Sequence, residues 1–468
     1  MFTDLESALM PTAALPPALP VPNAAPVSSE TRLAYVLLHF RLAYEQMPDV
    51  AIGYANARPT ITIAEAAGTF FQQAAAYPPA PNFRDWTGQR VPFFFDPQPE
   101  LPLLELGTGG ATIHADLISA AFYLLSGWQE YFSDARDRHG RFPYAASVQQ
   151  QFGFVALPVV NYYFDVLRTA VEHVSGQPLR PRRWAGGAPF AAFITHDIDL
   201  LRSAWKAPAK AALQQGQLLK FGQRLWQHCS QPDAWDNLEA VAAATATYGA
   251  KSTFFILPES RPGVNGTPNA DYNLSPALRA RLAKLRQLGC EISLHGSIGT
   301  ATNAARLGNE AVRLRPGAAG LRFHYLRWEP RQTPALVDST GRFPYDSTLG
   351  FAEHFGFRHS YCLPFYPYNF LTGTAHGFLE IPLNVMDATL HHPNYLQLRA
   401  EEIMPALQPM FAEIAKFGGV ATVLWHNDRF DPANHLTGPR QFAEIMHYMQ
   451  QHGAAFLTGS QIVAELRP

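Results

Sequence analysis

The sequence predicts an α/β protein in which a smaller α+β domain precedes a β/α domain. Its length of 468 residues exceeds that of one ordinary domain, so two domains are expected. From Phe190 onward, short apolar runs alternate with helical stretches, which is typical of a parallel sheet, either open or closed into a barrel. Polar residues follow several of these runs, as they do at the functional edge of such sheets.

The composition indicates a globular protein and argues against nucleic acid and membranes as its partners. Hydrophobic residues make up 47% of the chain and charged residues 16%, which suits a large core. The net charge of -2 gives no general attraction to nucleic acid or to an anionic membrane surface. No apolar run reaches the roughly 18 residues of a membrane span, and Met1 to Met10 lack the pattern of a secretory signal. We therefore expect a cytoplasmic protein with no nucleic-acid partner and no membrane span.

The three cysteines are sparse and far apart in the sequence, at Cys229, Cys290 and Cys362. No CxxC pair exists, so a thiolate zinc site is not expected. The odd, low count favours a reducing compartment.

The N-terminal part divides into a tail, a domain and a linker. Residues 1–30 are dominated by Pro, Ala and small polar residues, and are expected to be poorly ordered. Residues 31–185 are expected to form an accessory domain. Apolar residues recur there at helical spacing near Leu33–Ala43, Asp116–Phe132 and Pro158–Val174. The Gly- and Pro-containing stretch 175–188 predicts a linker.

Residues 186–468 are expected to form the second domain, which contains the alternating pattern. Its predicted helices include Asn237–Tyr248, Ser275–Leu288 and Arg399–Lys416. The predicted strands are Phe190–Thr195, Ser252–Leu257, Glu291–Leu294, Gly320–His324, Phe343–Asp346, Phe378–Pro382, Val420–His426 and Ala454–Leu457.

Two carboxylates follow the first of these strands, at Asp197 and Asp199. Residues two apart on an extended chain face the same way, so both side chains can point into one site. Two nearby carboxylates repel one another unless a cation separates their roles. One acid can then hold a metal while the other serves as a base. The alternative is an ordinary strand end with an Asp that caps the next helix.

Two histidines also follow predicted strands. The neutral imidazole of His295 is a suitable metal ligand. His426, after another strand, can protonate a leaving group. The alternative for each is a buried structural histidine satisfied by a backbone group.

The order of five motifs resembles a known family. An acidic pair follows strand one, and Ser252–Phe255 (Ser-Thr-Phe-Phe) and Glu291–His295 (Glu-Ile-Ser-Leu-His) form the next two strands. Arg322-x-x-Tyr325 and Leu424-Trp-His426 follow. This order resembles the polysaccharide deacetylase superfamily, of the carbohydrate esterase family 4 type, over about residues 186–468. The resemblance implies a distorted β/α barrel. The stretches Phe122–Tyr131 and Asp137–Phe142 look like an uncharacterised domain that precedes such barrels in some bacterial proteins.

The resemblance also implies an activity, namely metal-dependent hydrolysis of a carbon–nitrogen bond that removes an acyl group, such as N-acetyl, from a carbohydrate or a related amide. The implied metal is zinc, with iron, cobalt and nickel as alternatives. The implied roles are a base at Asp197, metal ligands at Asp199 and His295, an orienting group for the base at Arg322, substrate or oxyanion contacts at Tyr325 and Trp425, and a general acid at His426.

The sequence departs from the family pattern at two positions. Gly299 stands where the family has its second histidine, and His324 stands where a Pro is common. Our hypothesis is that His324 supplies the missing metal ligand. Three alternatives stay open: a metal held weakly or not at all, an altered barrel that binds a carbohydrate or a partner protein, and a hydrolase of a small non-sugar C–N bond. The substrate and the oligomeric state are not predicted.

Overall fold

The computed structural model describes residues 20–21, 24–263, 266–314, 317–431, 433 and 438–466. Most of the predicted tail, residues 1–30, lies outside the described residues. Across the part of the chain that is described, no helix combines the length and the apolar character needed to cross a membrane.

The N-terminal domain combines a small mixed sheet with helices. Strands pair in the order β1-β2-β6-β5, in which β5 and β6 are antiparallel and the other pairs parallel, and β3 and β4 form a separate hairpin. Helix α2 is apolar on all sides and every one of its residues is buried, as such a helix requires. The elements are α1 (Ser29–Ala43), β1 (Ile52–Tyr54), β2 (Ile61–Ile63), β3 (Asn82–Trp86), β4 (Gln89–Phe93), β5 (Leu104–Gly107), β6 (Gly110–Ile113), α2 (Leu117–Leu125), α3 (Trp128–Phe132), α4 (Val148–Gln151) and α5 (Val159–Ser175).

The C-terminal domain alternates strands with helices, as predicted. Its elements are β7 (Ala191–Ile198), α6 (Lys206–Gln214), α7 (Leu218–Ser230), α8 (Leu238–Ala246), β8 (Thr253–Ile256), α9 (Pro276–Gln287), β9 (Glu291–Gly296), α10 (Ala304–Arg313), β10 (Leu321–Phe323), α11 (Thr333–Thr340), β11 (Tyr345–Asp346), β12 (Tyr368–Asn369), β13 (Thr374–Ala375), β14 (Leu379–Glu380), β15 (Val385–Met386), α12 (Asp387–His391), α13 (Ala400–Lys416), β16 (Val420–Leu424), α14 (Pro439–Gln451), β17 (Ala455–Phe456) and α15 (Gly459–Leu466).

The main sheet is parallel and runs in the order β14-β11-β10-β9-β8-β7-β16-β15, with β17 beside β7. The two edge strands, β14 and β15, are separated by residues 381–384 alone. So short a connection requires the edges to lie close together, so the sheet curves into a barrel. Strand β7 is buried along its whole length, which explains its nearly continuous apolar sequence. The predicted fold class is thereby confirmed.

Every predicted strand of this domain is present, and so are the three predicted helices, as α8, α9 and α13. Strands β12, β13 and β15 were not predicted, whereas β11, β14 and β17 are equally short but lie within predicted runs of four or five residues.

Because neighbouring strands are parallel, the residues at their C-terminal ends share one edge of the barrel. The N-terminal domain packs against the barrel through buried ion pairs as well as apolar contacts. Arg358 pairs with Glu130 at 2.6 Å, and Arg136 pairs with Glu329 at 2.9 Å.

Candidate active site

A buried arginine, Arg322, orients the side chain of Asp197, the predicted general base. The Arg322 side chain is fully buried and lies 4.3 Å above the ring of Phe255. Its Nε and Nη2 donate to the carbonyl and hydroxyl oxygens of Ser347, at 2.7 and 3.0 Å. Its Nη1 donates to Thr195 Oγ1 at 2.8 Å and to Asp197 Oδ1 at 2.9 Å. Asp197 is therefore held in one orientation, and its Oδ2 lies 3.6 Å from His295 Nε2.

Three ligand atoms converge beside Asp197, namely Asp199 Oδ1, His295 Nε2 and His324 Nδ1. The distances are 3.4 Å from Asp199 to His295, 3.5 Å from Asp199 to His324, and 3.1 Å between the two imidazoles. A tetrahedral metal with bonds of about 2.0–2.1 Å would hold its ligand atoms about 3.3 Å apart. The spacing therefore fits a tetrahedral metal. His324, proposed from sequence to replace the missing histidine, lies within this group.

The hydrogen bonds of the two imidazoles assign their ring protons. His295 Nδ1 lies 3.0 Å from the carbonyl oxygen of Arg322, and His324 Nε2 lies 3.3 Å from that of Pro268. A carbonyl only accepts, so both of these nitrogens carry hydrogen. In the neutral rings the other two nitrogens present lone pairs toward Asp199 Oδ1, which is buried without a hydrogen-bond partner in the described part of the chain. Metal-binding histidines use this arrangement.

The electrostatics of the cluster favour positive charge at its centre. Burial lowers the pKa of His324 to about 4, which keeps that ring neutral. Burial also lowers the pKa of His295, but Asp197 and Asp199 outweigh it and raise the pKa above its ordinary value. Burial raises the pKa of Asp199, yet His324 and His295 bring it well below the usual range. Asp199 is thus a carboxylate, and the position between the three atoms suits a cation.

His426 faces the same cluster from another side. Its Nε2 lies 3.8 Å from Asp199 Oδ2, and its Nδ1 lies 2.8 Å from Asp387 Oδ1. Asp387 Oδ2 also accepts the backbone N–H of His426 at 2.6 Å. Burial lowers the pKa of His426, but Asp387 and then Asp199 raise it to about 10. The imidazole therefore holds a proton at neutral pH.

Asp387 is a site residue that sequence reasoning missed. It begins α12 directly after β15, which places it at the same barrel edge as Asp197 and Asp199. The sequence shows an acid after an apolar pair, Val385-Met386, but Asn384 separates this pair from Leu383, so no longer apolar run indicates a strand. A strand that is not predicted gives no reason to place its following residue in the site.

Tyr325 and Trp425 occupy different surroundings. Tyr325 follows His324 with a φ of 59°, and its ring stacks on His139 at 4.8 Å with an interplanar angle of 12°. Trp425 is fully buried and packs against Phe442, and its carbonyl oxygen lies 2.7 Å from His196 Nδ1. Their assignments to substrate and oxyanion stay predictions.

A pair of buried acids, Asp346 and Glu380, lies on neighbouring strands in direct register. One oxygen of Asp346 accepts Thr348 N–H and one of Glu380 accepts Leu349 N–H, both at 2.8 Å. Burial raises the pKa of Asp346 to about 6, and burial and Asp346 raise that of Glu380 further above its ordinary value. The pair therefore binds protons more readily than exposed carboxyls do, and it is distinct from the three ligand atoms.

Comparisons with known proteins cover both domains. Residues 31–175 match a family of unknown function, DUF7033, as expected for an uncharacterised N-terminal domain. No curated protein matches the chain. A putative polysaccharide deacetylase from Mycobacterium smegmatis matches in structure at 16% identity and a TM-score of 0.40, over 62% of this chain and 94% of that one.

Two further solved structures match over 61% of this chain. The allantoinase Puue does so at 15% identity and a TM-score of 0.39, with 93% of its own chain covered. A probable polysaccharide deacetylase from Pseudomonas aeruginosa PAO1 does so at 13% identity and a TM-score of 0.38, with 94% covered. Residues 31–175 thus match the DUF7033 family, and the solved structures that match the chain include polysaccharide deacetylases, the family that its sequence resembles.

Proposed function

We propose that this protein is a metal-dependent hydrolase that removes an acyl group, such as N-acetyl, from an amine of a carbohydrate or a related amide. The observation that supports it most is the convergence of Asp199, His295 and His324 between two further groups. One is a carboxylate fixed by Arg322, and the other is a histidine that holds a proton.

Asp199, His295 and His324 would hold the metal. One carboxylate and two imidazoles suit zinc, and they also suit iron, cobalt and nickel. When bound, a divalent cation lowers the pKa of water and polarises a carbonyl oxygen. The hydrogen bonds from His295 to the Arg322 carbonyl and from His324 to the Pro268 carbonyl hold both rings in the required tautomer.

Asp197 would act as the general base. Arg322 occupies its Oδ1, so Oδ2 is the oxygen that faces His295 and the ligand cluster. This oxygen would take the proton from the attacking water. Because Arg322 is itself held by Ser347 and Thr195, the carboxylate needs no reorientation during the reaction.

His426 would act as the general acid. Its Nδ1–H bonds to Asp387, which leaves the Nε2–H directed to the side of Asp199 away from the imidazole ligands. That proton would pass to the departing nitrogen, which must be protonated before the amine leaves. The negative charge of Asp387 stabilises the imidazolium until the transfer occurs.

The experiment is an acyl-release assay on the full chain with added zinc and, separately, with a chelator. N-acetylated sugars and small non-sugar amides are tested as parallel panels, because they separate the two substrate classes. Asp197→Asn should lower the rate by about 10²–10⁴-fold while zinc remains bound. Asp49→Asn, the same change at an exposed position, is the matched control. Zinc binding without hydrolysis of any amide would instead favour a barrel that only binds.

A further inference from the structure

A segment of the N-terminal domain, residues 133–143, lies against the turn of the barrel that carries His324. We call it the rim segment. The turn, residues 324–331, follows β10 and leads to α11. Tyr325 and Leu326, directly after His324, both have positive φ values, 59° and 53°. Residues other than glycine rarely adopt this conformation, so surrounding contacts must hold the turn.

The first such contact comes from Arg141. Its Nη1 donates to the carbonyl oxygen of Tyr325 at 3.1 Å, which is the peptide group inside the left-handed turn. His139 adds a stacked ring on the Tyr325 side chain. Tyr325 in turn lies with its ring 4.3 Å from that of His324. The rim segment thus contacts the residue next to a proposed metal ligand through both backbone and side chain.

The rim segment is itself tightly folded around Asp137. Asp137 Oδ1 accepts the backbone N–H groups of His139 and Arg141, at 2.8 and 2.9 Å. Asp137 Oδ2 accepts Arg141 Nε at 2.7 Å and lies 2.6 Å from Arg141 Nη2. The guanidinium is therefore fixed before it reaches across to the barrel, and its position does not depend on the barrel alone.

The far end of the turn is held from the same domain. Arg136 bonds Glu329 with two donors, at 3.1 and 2.9 Å. Arg331 donates in the opposite direction, to the carbonyl oxygens of Tyr131 and Ser133 at 2.7 and 3.1 Å. From within the barrel, the His324 ring contacts the carbonyl oxygen of Pro268 through Nε2 at 3.3 Å and His295 Nε2 through Nδ1 at 3.1 Å.

We propose that the rim segment positions His324 for metal binding, with Arg141 as the positioning residue, so that the two domains build one metal centre. This rests on the proposed function, because it takes His324 as a ligand. Other arginines join the domains without approaching the site. Arg182, for example, donates to the carbonyl oxygens of Leu42 and Glu465, both at 3.0 Å. Arg141 differs because its acceptor, the carbonyl oxygen of Tyr325, belongs to the residue that directly follows the proposed ligand His324.

The test measures zinc affinity of the full chain by competition with a chromophoric chelator, together with the melting temperature of the metal-free protein. Arg141→Met keeps the aliphatic stem and removes the donors. We expect it to weaken zinc binding about 10–100-fold, the range for groups that orient a ligand. Arg141→Lys, which keeps the positive charge and one donor nitrogen, should recover part of the lost affinity. Arg182→Met, which loses two bonds to carbonyls, should leave the affinity unchanged.

Wild-type affinity in Arg141→Met would overturn the proposal, and so would equal weakening in Arg141→Met and Arg182→Met. If Arg141→Met fails to fold, His139→Ala decides instead, because it removes the ring stacked on Tyr325, together with one bond to the exposed Arg138, and should weaken binding in the same direction. Asp199→Asn separates the two levels of inference. If this variant binds zinc as tightly as the wild type, the proposed metal site of Asp199, His295 and His324 is refuted, independently of the result for Arg141.

Discussion

The replacement of His324 by alanine tests the part of the site that departs from the family pattern. The substitution leaves two of the three converging ligand atoms, Asp199 Oδ1 and His295 Nε2, 3.4 Å apart. Loss of a group that only orients a ligand costs about 10–100-fold in metal affinity. Loss of a direct ligand should cost more than about 100-fold, which corresponds to about 2.8 kcal/mol of binding free energy.

The assay is zinc content after gel filtration, followed by chelator competition for the affinity. His376→Ala is the matched control, because this buried histidine contacts Asp338 at 3.0 Å and none of the three ligand residues. We expect it to bind zinc like the wild type. Unchanged zinc content and affinity in His324→Ala would refute the proposed ligand set, because zinc would then bind without His324.

Two further predictions concern carboxylates around the site. Asp387→Asn removes the charge that holds the proton on His426, so kcat should fall by about 10²–10⁴-fold in the acyl-release assay while zinc content stays unchanged; a wild-type rate would exclude His426 as the acid. Glu380→Gln concerns stability. Burial and the neighbouring Asp346 raise the pKa of Glu380 well above its ordinary value, so the folded chain binds this proton more tightly than the unfolded one, and the stability it contributes is lost as the pH rises above about 4.3. For one carboxyl this loss is at most about 4 kcal/mol by pH 7, and the Gln side chain, which does not titrate, should remove it. Denaturant unfolding at pH 4 and pH 7 measures the difference between the two proteins, and an equal pH dependence in both would contradict the raised pKa of Glu380.

The sequence predicts the barrel well because its signals are local. The apolar runs of β7, β8 and β9 are long enough to identify, and each parallel strand delivers its next polar residue to the same edge. The association of Asp199 with His295 follows from this rule alone. His324 could be suggested because it follows a predicted strand and stands where the family pattern has a different residue.

Other parts of the site depend on contacts between distant segments. Asp387 follows the short strand β15, whose apolar pair is interrupted by Asn384 on its N-terminal side, so no predicted strand leads to it. Arg141 and Tyr325 are 184 positions apart in the sequence, and both lie in loops. Loops have no regular pairing pattern, so the sequence does not predict this contact. The closure of the barrel through residues 381–384 is likewise a property of the whole sheet.

The burial of charge at this edge bears on the choice between an enzyme and a barrel that only binds. Arg322 and Asp197 are almost fully buried, and so is Asp387, which pairs with His426. Taking charged groups out of water is costly, and well-packed apolar residues often serve stability as well or better than a buried ion pair. The stability of the fold therefore does not explain why these charged groups are buried at this edge of the barrel. A fixed carboxylate, three converging ligand atoms and a protonated histidine are the parts that hydrolysis of an amide requires, which favours the enzyme.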